Sequence, residues 1–207
     1  MIAMPNGILA LGGNLSPSNS DFLPDGSNTW KSGPKMPRKG FSSGCAVKTS
    51  SNELVLIGGY TSRNKIFKYN RKARRFIQVG SLQQERWGHA CYTLKEGIIV
   101  SGGSRDGHGR NLDSTEIVDL ESWTSRKVGN LKEPRAFHGM ALVEFNSKQV
   151  LIAYGGYVNQ NRSRGSFLTS IEIWTDNQNS WEMSTIELEE SRRNFSTLTV
   201  PSTIKCP

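Results

Sequence analysis

The chain has 207 residues, a length that suits one domain and is ample for a hydrophobic core, so size alone requires no disulfide or metal. Its 26 basic and 18 acidic residues give a net charge of +8, which favours acidic partners without by itself indicating nucleic acid. No apolar run approaches the ~18 residues of a membrane span, and the amino terminus lacks the features of a secretory signal.

Four apolar segments, each typical of a β-strand, end in a pair of glycines. In chain order they read GILALGG, ELVLIGG, GIIVSGG and VLIAYGG, and their glycines are Gly12–Gly13, Gly58–Gly59, Gly102–Gly103 and Gly155–Gly156. The first glycines of successive pairs are 46, 44 and 53 residues apart. Glycine weakens a strand, but it supplies positive φ and leaves room for a close neighbour. The repetition therefore predicts four equivalent sharp exits from a strand.

Two further landmarks follow each glycine pair in the same order. A large aromatic residue lies 18, 18, 21 and 26 residues after the first glycine, at Trp30, Phe76, Trp123 and Trp181. An arginine then follows an apolar residue, at Arg38, Arg86, Arg135 and Arg192. The segments between these landmarks are short, rich in Val, Ile, Thr and aromatic residues, and without helical periodicity. Each unit therefore predicts four strands: a after the arginine, b ending in the glycines, c, and d starting at the aromatic.

This pattern resembles the kelch repeat, which forms one blade of a β-propeller. The second unit has Tyr69–Asn70 where the family usually has Tyr-Asp, and Phe76 in place of Trp. The fourth unit has Trp174 and Thr175 there and keeps Trp181, whereas the first unit is the most divergent. The resemblance covers essentially the whole chain. The third unit carries it best, with Arg86, His89, Ala90, Gly102–Gly103, Asp106–Gly107, Leu112, Ser114, Glu116, Asp119 and Trp123.

The resemblance implies an all-β fold, a kelch-type β-propeller with four blades of four antiparallel strands in one domain, residues 1–207. One blade is expected to be built from both termini, because a shared blade removes exposed sheet edges. Kelch rings usually have six or seven blades, so the alternatives are a four-bladed ring and a fragment of a larger propeller. We expect the isolated chain to close into four blades. Their predicted bounds are 7–32 with the carboxy-terminal strand 195–200, 41–80, 87–129 and 136–186.

The repeated residues are interpreted as structural. The glycine pairs lie where neighbouring sheets crowd together near the propeller axis, so positive φ and the missing Cβ explain them. The resemblance implies that the four aromatics wedge between adjacent sheets. Aligning the a strands places His89 and His138 at one position and Cys45 and Cys91 at another, so repeat symmetry explains them without a metal.

Cysteine usage favours a reducing compartment. An odd number of cysteines, three, argues against a disulfide framework. The innermost strands of adjacent blades usually stand too far apart for a disulfide, so Cys45 and Cys91 are expected to be buried thiols. We therefore expect a cytoplasmic protein, with a secreted form left open if the chain is a fragment.

No residue set matches an enzyme, a metal site or a cofactor site. The copper site of galactose-oxidase-type propellers needs paired His and Tyr residues that cannot be matched here. The sialidase Asp box is approximated only once, by PDGSNTW. We therefore expect a non-catalytic chain without a cofactor, and the alternative is a galactose-oxidase-like or sialidase-like enzyme or a carbohydrate binder.

Protein binding is the favoured function. In a propeller the b–c and d–a loops share one face, and here these loops are rich in arginine. Bidentate arginine–carboxylate pairs suit an acidic protein partner. Nucleic acid is the competing class, but no basic stripe is interleaved with stacking aromatics. The resemblance alone implies ubiquitin-ligase or actin association. The predicted partner-binding residues are Arg105, His108, Arg110, Arg162, Arg164, Arg38 and Arg135, although Arg38 and Arg135 can instead be structural residues of the repeat.

Overall fold

The structure is a computed structural model that describes residues 1–13, 15–37, 40–105, 110–145, 148–159 and 165–194. These residues form four antiparallel sheets of four strands each, together with one short two-stranded ladder. Among the described residues, no helix is long and apolar enough to cross a membrane. The predicted all-β architecture of four four-stranded blades is confirmed.

The strands of each sheet follow one another in chain order from one edge to the other. The first sheet contains β1 (Ile2–Met4), β2 (Gly7–Leu11), β3 (Ser20–Pro24) and β4 (Lys31–Ser32). The second contains β5 (Cys45–Lys48), β6 (Leu54–Ile57), β7 (Lys65–Asn70) and β8 (Arg75–Ser81). The third contains β9 (Ala90–Leu94), β10 (Gly97–Ser101), β11 (Thr115–Val118) and β12 (Ser125–Val128).

The fourth sheet is interrupted by the small ladder. It begins with β13 (Gly139–Phe145) and β14 (Lys148–Tyr154), after which β15 (Tyr157–Val158) and β16 (Ser166–Phe167) pair with each other. It ends with β17 (Ser170–Thr175) and β18 (Ser180–Glu187), which are joined by a single 3-10 turn, Asp176–Gln178. The insertion accounts for the longer spacing between landmarks in the fourth unit.

The sheets are arranged side by side around a common centre. The inner strands β5, β9 and β13 are neighbours, and backbone hydrogen bonds link the residues just before them. The Gly88 amide donates to the Ser43 carbonyl at 2.6 Å, and the Phe137 amide donates to the Gly88 carbonyl at 2.6 Å. The Asn194 amide donates in the same way to the Phe137 carbonyl at 3.1 Å. Successive sheets therefore pack as successive blades.

The hydrophobic core lies between the blades rather than within one of them. Leu9 and Leu56 pack between the first and second sheets, whereas Ile57 and Ile98 pack between the second and third. The third interface includes Ile99, Leu151 and Trp181. Strand β10 is buried along its whole length because both of its faces are covered, which explains its continuous apolar run.

The first blade differs from the prediction. Strand β1 pairs with β2, with Ile2 opposite Leu9, and so holds the inner place predicted for residues 195–200. The expectation of a blade shared by both termini is therefore corrected, and residues 195–207 lie outside the described residues. The physical reason is local: Pro5 and Asn6 form a two-residue turn before Gly7, which folds residues 2–4 directly onto β2.

Three of the four repeated aromatics lie against a neighbouring blade. Trp181 is fully buried, and its indole Nε1 donates to the Thr115 hydroxyl of the third sheet at 3.0 Å. Phe76 is buried in the first interface, and Trp123 is partly buried against the second sheet, where the Lys68 ammonium lies 5.1 Å from its ring centroid. Trp30 is 45% exposed, so its predicted wedge role is wrong. The physical reason is that the first sheet packs against the second with its other face.

The glycine pairs make room for the next blade. All eight glycines have positive φ. A Cβ on Gly58 would lie 2.7 Å from the His89 ring and 2.8 Å from the Arg86 carbonyl oxygen. A Cβ on Gly102 would meet His138 and the Arg135 carbonyl in the same way. Gly58 and Gly102 therefore accommodate the histidine and the backbone that begin the following blade, whereas Gly12 accommodates the backbone and Cβ of Phe41.

Cys45 and Cys91 form a disulfide across neighbouring inner strands, with their Cα atoms 6.0 Å apart, so the prediction of two buried thiols is wrong. The strand register explains the error. Cys45 pairs with Ile57, and at the equivalent place in the third sheet Ala90 pairs with Ser101. Cys45 therefore corresponds to Ala90 and not to Cys91. The two cysteines are thus one residue out of step along their strands. A shift of one residue turns a strand side chain to the opposite face, so the two sulfurs point towards each other.

Candidate binding surface

Loops from all four units converge at one edge of the propeller. We call it the loop edge: it contains the glycine pairs that end β2, β6, β10 and β14 and the residues just before β5, β9 and β13. Backbone pairing orders this edge, since Trp87 pairs with Ser104 and Ala136 pairs with Tyr157. The side chains of the loop edge are therefore presented by regular structure.

Three aromatic side chains form a continuous arc along the loop edge, which we call the aromatic arc: Tyr60, Trp87 and Phe137. The ring centroids of Tyr60 and Trp87 are 5.8 Å apart at an interplanar angle of 89°. Those of Trp87 and Phe137 are 5.4 Å apart at 68°. Both pairs have the edge-to-face geometry that aromatic rings prefer. Tyr60 is 56% exposed, so the arc presents apolar surface to solvent.

A second aromatic pair continues the surface towards the fourth sheet. The ring centroids of Tyr157 and Phe167 are 5.7 Å apart. The Arg193 guanidinium lies over both rings, 5.2 Å from the Tyr157 centroid and 4.8 Å from the Phe167 centroid, which is cation–π geometry. Because Tyr157 pairs through its backbone with Ala136, the pair lies next to the aromatic arc.

Two of the predicted partner-binding arginines lie beside the aromatic arc. Arg105 and Arg110 are both exposed. Arg105 follows Ser104, the residue that pairs with Trp87, and the Ser104 hydroxyl donates to the Arg110 carbonyl at 3.1 Å. The loop is tied to the fourth sheet, because the Asn111 amide donates to the Asn159 carbonyl at 3.1 Å. The backbone of both arginines is therefore held beside the pairing of Trp87 with Ser104.

Arg135 does not belong to this surface. Its side chain is fully buried, and its guanidinium donates to the Glu172 carboxylate at 2.8 Å and to the Ser170 hydroxyl at 3.1 Å. The prediction of partner binding is therefore corrected to a structural role within the fourth blade. Arg86 makes the equivalent buried pair with Glu116 at 2.8 Å in the third blade. These pairs explain why arginine recurs in the repeat.

The connection after the first unit has a phenylalanine at the backbone position of this arginine. The amide of each second glycine donates to the residue that starts the next blade: Gly59 to Arg86, Gly103 to Arg135 and Gly156 to Arg192. In the first unit the Gly13 amide donates to the Phe41 carbonyl at 3.0 Å, so Phe41 holds the equivalent position. The predicted binding residues Arg38, His108, Arg162 and Arg164 lie outside the described residues.

The inner strands line small cavities near the axis. A cavity of about 360 Å³ is bounded by Cys45, His89, Cys91 and His138, and a neighbouring one of about 270 Å³ reaches Phe137. His138 Nε2 and the Ser101 hydroxyl are 3.0 Å apart. Within the described residues, no three His, Cys, Asp or Glu side chains are grouped closely enough to hold a metal ion. Both cavities are lined by residues of, or just before, the inner strands of the second, third and fourth blades.

The two axial histidines are held neutral. Burial, aided by the nearby Arg86 charge, lowers the pKa of His89 to about 3. Burial also lowers the pKa of His138 well below its usual value, with the Arg135 charge acting in the same direction. Desolvation penalises the imidazolium, and the cationic guanidiniums repel it. Neither ring is suited to proton transfer near neutral pH.

The opposite edge of the propeller carries a separate basic group. The turn between β7 and β8 contains Arg71, Lys72 and Arg74, and Ala73 is fixed there by a hydrogen bond from its amide to the Asn70 side chain at 2.8 Å. A cavity of about 950 Å³ beside this turn reaches the first sheet. No aromatic arc accompanies these charges among the residues that line the cavity.

The repeated blades and their loop edge fit the class of kelch-like β-propellers. No protein-family model matches the chain. The chain is 34% identical over 92 residues to kelch-like protein 24 from rat, human and mouse. The matched stretch covers 44% of this chain but only 14% of the length of each of these relatives. The similarity supports a kelch-type interaction module as the general class.

The aromatic residues of the loop edge were missed in the sequence analysis. Two signals were present: Tyr60 and Tyr157 each follow a glycine pair directly, and Trp87 and Phe137 lie within two residues of Arg86 and Arg135. Because these aromatic residues occupy equivalent positions of successive units, they must lie on the same edge of the propeller once the blades are recognised. That these rings touch across blades depends on the packing of three sheets.

Proposed function

We propose that this chain is a non-catalytic protein-interaction module that binds an acidic segment of a partner protein at its loop edge. The observation that carries the proposal is the aromatic arc, Tyr60, Trp87 and Phe137, with Arg105 and Arg110 exposed beside it. The similarity to kelch-like protein 24 supports interaction as the class of function. Location in the cytoplasm stays a prediction.

Apolar contact supplies the affinity in this proposal. Aromatic and arginine side chains dominate the energetically important positions of protein interfaces. The aromatic arc is already ordered, because its rings pack edge to face and its backbone is paired at Trp87. Little side-chain entropy is therefore lost when a partner covers it.

Charge supplies the preference for acidic sequences. The chain carries a net charge of +8, so acidic segments are attracted from a distance. At the surface itself, the guanidiniums of Arg105 and Arg110 can each hold a carboxylate through two parallel hydrogen bonds. An acidic peptide with an apolar or aromatic residue among its carboxylates would satisfy both halves of the surface.

A displayed library of random peptides tests the proposal. Selection on the wild-type chain is expected to enrich acidic peptides that also carry apolar residues. Synthetic peptides from that selection should bind Trp87→Ala and Arg105→Glu/Arg110→Glu at least about tenfold more weakly, which corresponds to the loss of about 1.4 kcal/mol or more. Binding is measured by isothermal titration calorimetry after circular dichroism has shown that each variant is folded.

The matched control is Arg126→Glu, which reverses a charge that is also exposed but lies in the outer strand β12. It should leave peptide affinity almost unchanged. Selection without acidic enrichment, or equal losses for Arg126→Glu and for the loop-edge variants, would refute the proposal. A steep salt dependence of binding to DNA or RNA, with submicromolar affinity, would favour the nucleic-acid alternative instead.

A further inference from the structure

One junction is repeated between consecutive blades, and it is built from a backbone segment and a buried acid. The amides of Gln83 and Gln84, which follow β8, donate to the Glu116 carboxylate of the third sheet at 2.7 and 3.1 Å. Arg86 then pairs with the same carboxylate at 2.8 Å. A single buried carboxylate thus binds the incoming connector by three hydrogen bonds.

The next junction repeats this arrangement. The amides of Lys132 and Glu133, which follow the third sheet, donate to the Glu172 carboxylate of the fourth sheet at 2.7 and 3.1 Å. Arg135 pairs with Glu172 at 2.8 Å. The same three contacts therefore recur at the same relative positions in the third and fourth blades, whereas Phe67 holds the register position of the acid in the second blade.

The fourth blade offers the donor half of another such junction. The Leu188 amide donates to Thr169, as the Leu131 amide does to Asp113, so Glu189, Glu190 and Arg192 hold the connector positions. Arg192 is 61% exposed and reaches only Glu190, at 3.4 Å, among the described residues. The connector and its arginine therefore occupy the positions that bind a buried acid at the two other junctions. Among the described residues, no buried acid binds them here.

The first blade offers the acceptor half. Asp21 pairs with Ala10 in the β2–β3 ladder, at the register position where Glu116 pairs with Val100 and Glu172 pairs with Ala153. Asp21 is exposed, whereas both glutamates are fully buried. The first blade thus carries the repeat's acid on the face that, in the third and fourth blades, receives the preceding blade.

The apolar faces beside these two half-junctions are also uncovered. Ile99 and Ile117 of the third sheet are buried by the fourth sheet, whereas their equivalents Ile152 and Ile173 are only partly buried. At the other end, Ile8 on the first sheet is 42% exposed. Each open face has the chemistry of the faces that are joined inside the chain.

We propose that two copies of this chain associate head to tail, with the fourth blade of one copy packed against the first blade of the other. Asp21 of the second copy then accepts hydrogen bonds from Arg192 and from the amides of Glu189 and Glu190. Ile8 of that copy packs over Ile152 and Ile173. A contact between two different faces is heterologous, so it forms a closed ring or an open chain of copies.

Sedimentation velocity of the full chain tests this proposal over a wide range of concentration. The background substitution Cys206→Ser prevents a terminal thiol from linking two copies. The reference chain is expected to sediment as a dimer or a larger assembly. Asp21→Lys and Arg192→Glu should each weaken association by at least about tenfold, because each places like charges together at the junction. Ile8→Lys should weaken it similarly.

A mixing experiment separates association between chains from closure within one chain. An equal mixture of Asp21→Lys and Arg192→Glu should associate again, because the reversed charge of one variant then meets the opposite reversed charge of the other. The mixture also allows a second junction, because the Asp21→Lys variant keeps Arg192 and the Arg192→Glu variant keeps Asp21. The control Asp25→Lys, an exposed acid in the turn after β3, should behave like the reference chain. A reference chain that stays monomeric, or a mixture that does not associate, would overturn the proposal.

Discussion

The buried arginine of the fourth blade gives the sharpest test of the repeat. Arg135→Met removes a guanidinium that donates to the Gly155 carbonyl at 3.0 Å, the Ser170 carbonyl at 3.1 Å and the Glu172 carboxylate at 2.8 Å. The variant leaves the Glu172 carboxylate fully buried, bound by two backbone amides but without its counter-charge. An uncompensated buried charge is among the costliest defects that a substitution can create.

The expected loss follows from that burial. Removing one partner of a buried ion pair costs about 3–5 kcal/mol, and a chain of this length loses about 2–4 °C in melting temperature per kcal/mol. Arg135→Met should therefore unfold about 6–20 °C lower than the wild type. The double variant Arg135→Met/Glu172→Gln should recover part of this loss, because the unpaired charge is gone.

Urea unfolding followed by circular dichroism measures the free energy of unfolding, and thermal melts check the shift. The matched control is Arg105→Met, an exposed arginine, whose stability should stay within about 0.5 kcal/mol of the wild type. Comparing the two variants thus distinguishes an arginine that stabilises the fold from one that is available for binding. If Arg135→Met were as stable as Arg105→Met, the reasoning that places the repeat arginine in the core would be refuted.

Two further predictions concern the propeller axis. The Cys45–Cys91 disulfide closes a loop with a sequence separation of 46 residues. Cys45→Ser should therefore lower the free energy of unfolding by about 4 kcal/mol under oxidising conditions and by almost nothing after reduction. Peptide mapping that finds both thiols free in unreduced protein would contradict this prediction. Because burial lowers the pKa of His89 to about 3, the unfolded chain binds a proton below about pH 6.5 that the folded chain does not. The free energy of unfolding should therefore fall by about 2 kcal/mol between neutral pH and about pH 5 because of His89 alone. Urea titrations of His89→Gln should show a smaller fall than those of the wild type, and equal falls would contradict the prediction.

The local parts of the fold were readable because they repeat. Each glycine pair ends an apolar strand and has positive φ, so four copies predicted four blades within this chain before any contact was known. The strand β1 was missed because three residues are too few for a periodicity to be recognised. Repetition therefore made the complete units recognisable in the sequence, whereas a single short strand such as β1 was not.

The binding surface was predicted less well than the fold. Arg105 and Arg135 were both predicted to bind a partner, with a structural role left open for Arg135, and the structure exposes Arg105 but buries Arg135 fully against Glu172. One sign of the difference was present in the sequence, since Arg135 occupies a position that recurs in the repeat and Arg105 does not. The difference arises because Arg135 stands at the start of a blade, where the neighbouring strand supplies a carboxylate, whereas Arg105 lies in a loop.

The sequence by itself determined the strands, the turns that end them and their fourfold order, because these depend on residues that are neighbours in the chain. Only the tertiary structure decided which faces are covered, as at Trp30 and Trp181, and which side chains meet across blades, as at Cys45 and Cys91. The physical reason is that a shift of one residue between distant strands reverses which side chains face each other. Such a register is set by the packing of whole sheets, to which each residue contributes only a small part of the free energy.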